Sequence, residues 1–198
     1  MRKISVVNSV TLDGVMQAPG GPEEDTRGGF AHGGWAQPYN DPVMARTMGE
    51  GMAEGGALLF GRRTYEDFAA YWPRQRDNPF TPVLNARQKY VVSMTLTRPL
   101  SWQNSTLLAG DAAEKVAALK AGPGADLTIL GSGALIRSLL RHNLIDEYLL
   151  LIHPLLLGSG RRLFPDDGAS VPLRLVKSVP TTTGVIIATY HPAETTTM

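Results

Sequence analysis

Leu59-Phe60-Gly61-Arg62-Arg63-Thr64-Tyr65-Glu66 and Ile129-Leu130-Gly131-Ser132-Gly133-Ala134-Leu135 are the two stretches that decide how this chain folds. Each closes a short apolar run, Ala57 to Phe60 and Leu127 to Leu130, with a glycine-marked turn that opens a helical pattern. Two strand–turn–helix units of this kind place two helix N-termini along one edge of a sheet. A helix N-terminus offers unpaired backbone N–H groups and about half a positive charge. Two of them, with Arg62 and Arg63 beside one, make a cradle for a ligand carrying more than one phosphate. The pair points to a nucleotide cofactor.

Gly61 lets the backbone approach a ligand closely. Arg62 and Arg63 suit bidentate contact with phosphate. Thr64 offers a hydroxyl and reads as the cap of the following helix, with Glu66 and Asp67 in its first turn. Taken singly, this segment is equally a solvated turn whose arginines face water. Gly131-Ser132-Gly133 alone is a tight strand-to-helix turn, since Ile136 replaces the third glycine of the dinucleotide fingerprint. Ser93-Met94-Thr95 ends a third strand pointing the same way, and ligands of open α/β sheets sit at such carboxyl ends. Hydroxyls there suit a ribose or a 2′-phosphate; alone they are a polar strand end. Gly158-Ser159-Gly160-Arg161-Arg162 reads either as an anion-binding nest or as a hairpin loop with exposed arginines.

Around these turns the chain alternates. Ile4 to Val10 is a strand ended by Asp13-Gly14. Residues 15 to 41 hold six glycines, three prolines and Phe30, Trp35 and Tyr39 without sustained periodicity; a loop this long is often a lid. Asp41-Pro42 starts a helix that runs to about Glu54 and stops at Gly55-Gly56. Its Met44, Met48 and Met52 recur every four residues and read as a core stripe. The helix after Thr64 fades near Trp72-Pro73, and 73 to 86 reads as loop. Lys89 to Ser93 and Thr106 to Ala109 are strands. Asp111 and Glu114 open a helix that ends at Gly122-Pro123. Leu127 to Leu130 is a strand and Ala134 to His142 a helix. Asp146 to His153, Leu173 to Ser178 and Val185 to Tyr190 are strands, and Glu194 to Met198 reads as a frayed tail. The alternation predicts a parallel sheet with helices on both faces, and the closing strands an antiparallel edge.

The bulk numbers fit one globular domain spanning 1–198. Of the 198 residues, 43% are apolar and 19% charged, which suits a full hydrophobic core. A net charge of +1 gives no global field toward nucleic acid or membrane. With no cysteine, disulfides, thiolate metal sites and a cysteine nucleophile are excluded. No signal-peptide core and no bilayer-length apolar run occur, so a cytoplasmic protein is expected. The four histidines show no metal-ligand spacing and there is no zinc deaminase signature. GxSxG and GxxxxGK[ST] are absent, against an α/β-hydrolase and a P-loop NTPase. His153, on an apolar strand, reads as a satisfied core residue.

The ordered set resembles the dihydrofolate reductase-like fold, and within it the stand-alone proteins similar to the reductase domain of the riboflavin-pathway RibD protein. The matching stretches are Ser9-Val10-Thr11-Leu12-Asp13-Gly14, the two turns quoted above, Tyr90-Val91-Val92-Ser93, and Asp146-Glu147-Tyr148 through His153-Pro154 to Gly158-Ser159-Gly160. The resemblance runs from about Lys3 to Tyr190. It implies an α/β three-layer sandwich with a mostly parallel central sheet and antiparallel C-terminal strands. It implies NADPH, with Gly61, Arg62, Arg63 and Thr64 on its phosphates and Ser93, Met94 and Thr95 at the adenosine ribose and 2′-phosphate. Gly131, Ser132, Gly133, Ala134 and Leu135 would wrap the pyrophosphate and nicotinamide ribose, with Val6, Asp13 and Gly14 near the nicotinamide. Asp13 is the expected polar residue at the reacting centre, and Trp35, Tyr39, Met48 and Phe164 the expected substrate wall. A homodimer is a further implication.

One departure matters. Dihydrofolate reductases carry a pterin-binding carboxylate on the first helix, whereas Val43 to Met48 here contains no acid. Classical folate reduction is therefore not expected. A ribosyl-phosphate substrate would need a cationic anchor, with Arg46 and Arg161 as candidates. The expected activity is NADPH-dependent reduction of a small heterocyclic or carbonyl compound; the rival is an NADPH-binding or sensing protein without turnover.

Overall fold

Residues 1–97, 99–164 and 170–193 are described by a computed structural model. In chain order the elements are β1 (Ile4–Thr11), α1 (Pro42–Ala53), β2 (Ala57–Gly61), α2 (Arg62–Tyr71), α3 (Phe80–Ala86), β3 (Lys89–Ser93), β4 (Ser105–Ala109), α4 (Ala112–Ala121), β5 (Leu127–Leu130), α5 (Gly133–Leu140), β6 (Glu147–His153), β7 (Leu173–Pro180) and β8 (Ile186–Pro192). All eight strands form one sheet in the order β4-β3-β2-β5-β1-β6-β8-β7. From β4 to β6 every pairing is parallel; β8 is antiparallel to both β6 and β7. The expected α/β sandwich with an antiparallel C-terminal edge is thus the observed fold.

Strand alternation divides the core into two sides. On β1 and β2, Ile4, Val6, Val10, Ala57 and Leu59 face one side, where they pack with Val116 of α4 and Leu135, Ile136 and Leu139 of α5. Leu58 and Phe60 face the other, under Tyr65 and Phe68 of α2 and Leu84 of α3. Val7, Leu149 and Leu151 meet Met44 and Met48 of α1 on that second side. The methionine stripe is core, as expected; Met52 joins the cluster beneath α2. Burial of a side chain of this size contributes roughly 1.5–3 kcal/mol, so the stripe is what seats α1 on the sheet.

Helix starts follow local capping chemistry. The Asp41 carboxylate accepts the Met44 amide at 2.8 Å, with Pro42 in the first turn. Asp111 accepts the Glu114 amide at 3.0 Å and opens α4. Two expectations are corrected. The segment read as loop over 73 to 86 contains α3, whose Pro82 sits in the first turn where a missing N–H costs nothing. Thr64 does not cap α2: Gly61 is the N-cap, so Arg62, Arg63 and Thr64 are already helical. The tail from Glu194 to Met198 lies outside the described residues.

Candidate functional site

The carboxyl ends of β1, β2, β3, β5 and β6 share one edge of the sheet. Because β5 lies between β1 and β2, pairing Leu127 with both Ile4 and Ala57, the two glycine turns become neighbours. They are clasped by two hydrogen bonds. The Gly61 amide donates to Ser132 Oγ at 3.1 Å, and the Ser132 amide donates to Thr64 Oγ1 at 3.1 Å. Gly131 (φ +64°) and Ser132 (φ +56°) are consecutive left-handed residues. A left-handed conformation costs a non-glycine residue about 1–2 kcal/mol, and Ser132 is held there by both bonds. A Cβ on Gly131 would stand 3.3 Å from Thr64 Cγ2, so glycine permits the close approach.

Neither α2 nor α5 has a side-chain cap, in contrast to α1 and α4. Their first-turn N–H groups are therefore not consumed by a capping side chain. This is the chemistry a diphosphate needs. The Met16 thioether rests against Gly133, where a Cβ would collide with it. Ala134 is exposed in the first turn of α5.

Around the first turn the two arginines separate. Arg62 forms an ion pair with Glu66 at 3.1 Å and donates to Thr95 Oγ1 at 2.7 Å. Ser93 Oγ accepts the Thr95 and Leu96 amides at 3.0 and 2.9 Å, which curls the strand end into a turn. Met94 projects into solvent at 83% exposure. The structure therefore brings Arg62, Ser93 and Thr95 together. Arg63 instead shares a cavity of about 260 Å³ with Glu23, Glu24, Asp25, Arg27 and Asp67. Burial raises the carboxyls of Glu24 and Asp67 above their usual range, while the Arg27 side chain beside Asp25 lowers that one. A second cavity, about 240 Å³, lies at the opposite edge beside Lys3, Asp126 and Glu147, away from the turns.

On the β1 side, Asp13 is fully engaged. Thr11 Oγ1 donates to its carboxylate, as do the Leu157 amide at 3.3 Å and the Gly158 amide at 2.8 Å. The Thr11 bond, followed by those amides, holds Asp13 below the usual carboxylate range. At neutral pH it is an acceptor that clamps the 155–160 loop and has no proton to give. Gly14 turns at φ +81°, and its carbonyl accepts the Leu163 amide at 2.9 Å. Val6 and Leu135 are side chains of the central core.

The 15–41 segment is organised by Gln17, a residue no sequence motif singles out. Its buried amide donates to the Asp25 and Arg27 carbonyls at 3.0 and 2.9 Å, its Oε1 accepts the Arg161 amide at 2.9 Å, and its carbonyl accepts Trp35 Nε1 at 2.6 Å. Trp35 and Tyr39 meet the ring of His153 edge-on, at centroid distances of 5.0 and 5.5 Å. Met48 packs beside Tyr39, whereas Phe164 sits elsewhere, against Tyr148 on the α5 side. Arg46 is exposed on α1. His153 is buried as expected but not satisfied: Nδ1 bonds the Leu151 carbonyl at 2.9 Å, and Nε2 has no partner. Burial lowers its pKa.

Two clasped, uncapped helix starts thus stand side by side at the carboxyl edge of an α/β sheet. The chain belongs to the RibD C-terminal domain family, whose model matches residues 2–187. Bacillus subtilis (strain 168) YyaP is 28% identical over 197 residues, covering 96% of this chain and 95% of that protein. Among crystal structures, a protein ascribed to riboflavin biosynthesis from Shewanella sp. PV-4 matches with a TM-score of 0.71 at 24% identity, over 97% of this chain and 99% of that one. A pyrimidine reductase-like protein of Corynebacterium diphtheriae gives 0.66 at 13% identity, over 98% and 92%. Enterococcus faecalis dihydrofolate reductase, complexed with NADP(H) and RAB-propyl, gives 0.58 at 17% identity, over 97% of each chain. Family and fold are those of reductases. Among the described residues no helix is long and apolar enough to cross a membrane.

Proposed function

We propose that the chain, working as one domain over 1–198, is an NADPH-dependent reductase of a small heterocyclic or carbonyl substrate. The observation that carries this reading is the clasp of Gly61, Thr64 and Ser132, which fixes two uncapped helix starts side by side at the ligand edge. The backbone from Gly131 to Ala134 and the first turn of α2 would hold the pyrophosphate; Arg62, Ser93 and Thr95 would hold the adenosine ribose and 2′-phosphate. NADPH, when bound, supplies the hydride; the protein supplies binding, orientation and exclusion of water. Trp35, Tyr39 and Met48 would wall the substrate side, with Gly14 at the nicotinamide.

One observation favours the second reading, a sensor that binds NADPH without turnover. Asp13 is held ionised and Val43 to Met48 has no acid, so neither the β1 turn nor the start of α1 presents a carboxyl proton. NADPH is expected to quench tryptophan fluorescence saturably and raise Tm; absence of saturable binding sinks both readings. Turnover with pterins, pyrimidine ribosides, quinones and small ketones then separates enzyme from sensor. We further place the protein in the cytoplasm and pair it with a second copy through β7 and β8, where Leu175, Val176 and Ile186 are exposed; light scattering on the purified protein tests the pairing.

A further inference from the structure

The turn from Gly20 to Arg27 lies against α2 across the cavity of about 260 Å³. The turn lines it with Glu23, Glu24, Asp25 and Arg27, and the helix with Arg63 and Asp67. Four carboxyls thus meet two guanidiniums, and the cations do not tie the two elements together. Arg27 is spent on Asp25 within the turn, through Nε at 2.6 Å and a second bond from Nη2. On α2, Arg62 is spent on Glu66 and Thr95. Among the described residues no ion pair or side-chain hydrogen bond joins the turn to α2. The carboxylates of the turn cannot swing aside either. Glu24 Oε2 accepts the Gly20 and Gly21 amides at 2.6 and 3.1 Å, and Arg27 fixes Asp25. Apposed like charges with no bond between them cost free energy, the more so as water is excluded. The turn also has the means to move. Gly28 and Gly29 follow it at φ +71° and +72° with open space around them, and on its other side it hangs on the Gln17 amide.

We propose that the 20–27 turn is a proton-gated strap, seated on the first turns of α2 when Glu24 or Asp67 carries a proton and released when both are ionised. Loss of water raises both carboxyls, Glu24 from an ordinary 4.5 and Asp67 from 3.8, and the Asp25 charge raises each further. The Gly20 and Gly21 amides oppose this at Glu24; at Asp67 the Arg27 charge opposes it and Glu66 adds to it. A released turn returns both groups to water and to their ordinary values. The seated form therefore holds protons more tightly. Seating is favoured below the ordinary values and is lost as pH rises through the raised ones. At neutral pH the released strap uncovers Arg63 and the uncapped first turn of α2. That helix start is the one given above to the cofactor's phosphates, and in this respect alone the inference rests on the reductase reading. Acid then closes the protein's own anion seat.

The chain has no cysteine, so spin labels can be placed at Thr26→Cys and Ala70→Cys alone, both at exposed positions. Electron–electron resonance on the full chain then reads the distance from turn to helix. At about pH 4.5 a short, narrow distribution is expected, and at pH 7.5 a longer, broader one. Glu24→Gln and Asp67→Asn each remove one charge and keep the shape, and each is expected to hold the short distance at pH 7.5. A wild-type distribution that is the same at both pH values, or variants that titrate like wild type, overturns the proposal. NADP⁺ titration at pH 7.5 gives a second reading. Removing a carboxylate beside an anion by itself strengthens the anion's binding, whereas a strap locked down weakens it, here by about threefold. Weaker NADP⁺ binding in both variants is expected; unchanged or stronger binding in either overturns the gate. If wild type binds no NADP⁺ at all, the reductase reading falls and the label distances still decide the strap.

Discussion

Ser132 and Thr64 stand 68 residues apart in sequence yet share a hydrogen bond, the Ser132 amide donating to Thr64 Oγ1 at 3.1 Å. This bond fixes a left-handed residue at the start of α5 against the first turn of α2. Replacing Thr64 with Val keeps the shape and removes the acceptor. The partly buried amide is then unmet, at a cost of about 1–3 kcal/mol. For a chain of this size each kcal/mol lowers Tm by roughly 2–4 °C. Calorimetry on Thr64→Val is expected to show that fall together with weaker NADPH binding, and Thr64→Ser to restore both. An unchanged NADPH affinity in a destabilised Thr64→Val would separate the clasp from the cofactor site.

The two arginines are expected to behave differently. Arg62 reaches Thr95 beside the Ser93 turn, where a 2′-phosphate would sit, while Arg63 already shares its cavity with Glu23, Asp25 and Asp67. Arg62→Ala is expected to weaken NADPH about tenfold and NADH little, the loss of one charge-assisted contact at an exposed site. Arg63→Ala should change either affinity by about threefold or less. Fluorescence titration with both nucleotides measures this, and equal losses for NADPH and NADH in Arg62→Ala would deny that Arg62 reads the 2′-phosphate.

Gly160 packs against the 15–41 segment. It sits at φ +111°, and a Cβ there would lie 2.6 Å from Phe30 Cε2 and 2.8 Å from Val15 Cγ1. Gly160→Ala therefore meets both backbone strain and collision, and the Phe30 ring has to leave its place. Limited proteolysis is expected to cut faster within 15–41, with a Tm loss of several degrees. Gly158→Ala, at φ +71° but with open space around its Cβ, isolates the strain alone and is expected to cost less.

Much of this was legible in the sequence, for reasons that also explain what was not. Periodicity and caps at Asp41 and Asp111 are local, so the strand and helix order follows from residues near one another. Strand order is not local: nothing in Leu127 to Leu130 says that β5 inserts between β1 and β2, yet that insertion is what joins the two glycine turns. α3 was hidden because Pro79 and Pro82 read as loop residues, although proline is tolerated in a first turn. Thr64 misled as a cap because glycine at 61 can serve as the N-cap with no side chain. The role of Gln17 has no sequence signal, since it rests on backbone groups at Asp25, Arg27 and Arg161. His153 looked satisfied because a strand pattern reports burial and not hydrogen bonding.

Asp13→Asn separates clamp from acid. As an ionised acceptor of the Thr11 hydroxyl and the Leu157 and Gly158 amides, Asp13 has a folded pKa below its unfolded value. The stability it contributes is present above the ordinary carboxylate pKa and is lost as pH falls through the lowered one. Asn at this position turns an N–H₂ toward one of the donors. Expected results are a looser 155–160 loop by hydrogen exchange, a lower Tm at pH 7, and a wild-type-to-variant difference that shrinks as pH drops below about 4. Turnover, where present, is expected to keep its pH profile; loss in Asp13→Asn of a fall in rate toward higher pH would instead assign the proton to this carboxyl.

Lys89 gives a pH dependence of the same sign in an alkaline window. It is fully buried, at 0% exposure, with Nζ donating to the Arg87, Gln103 and Asn85 carbonyls at 2.8, 3.1 and 3.2 Å and standing 4.4 Å from the centre of the Trp102 ring. Burial pulls its pKa down to about 8, from an ordinary value of about 10.5. Between these two values the unfolded chain binds the proton that the folded chain releases, so stability attributable to Lys89 rises with pH across about 8 to 10.5. At about 1.4 kcal/mol for each pKa unit the upper bound is on the order of 3 kcal/mol, and the three carbonyls, which favour the ammonium, pull the net value below it. Lys89→Met removes the titration and leaves those carbonyls without their donor. Urea unfolding at pH 7.5, 9 and 10.5 is expected to show wild type gaining on Lys89→Met as pH rises. A constant difference between the two proteins would mean that Lys89 keeps its proton throughout, held by the Arg87, Gln103 and Asn85 carbonyls and the Trp102 face.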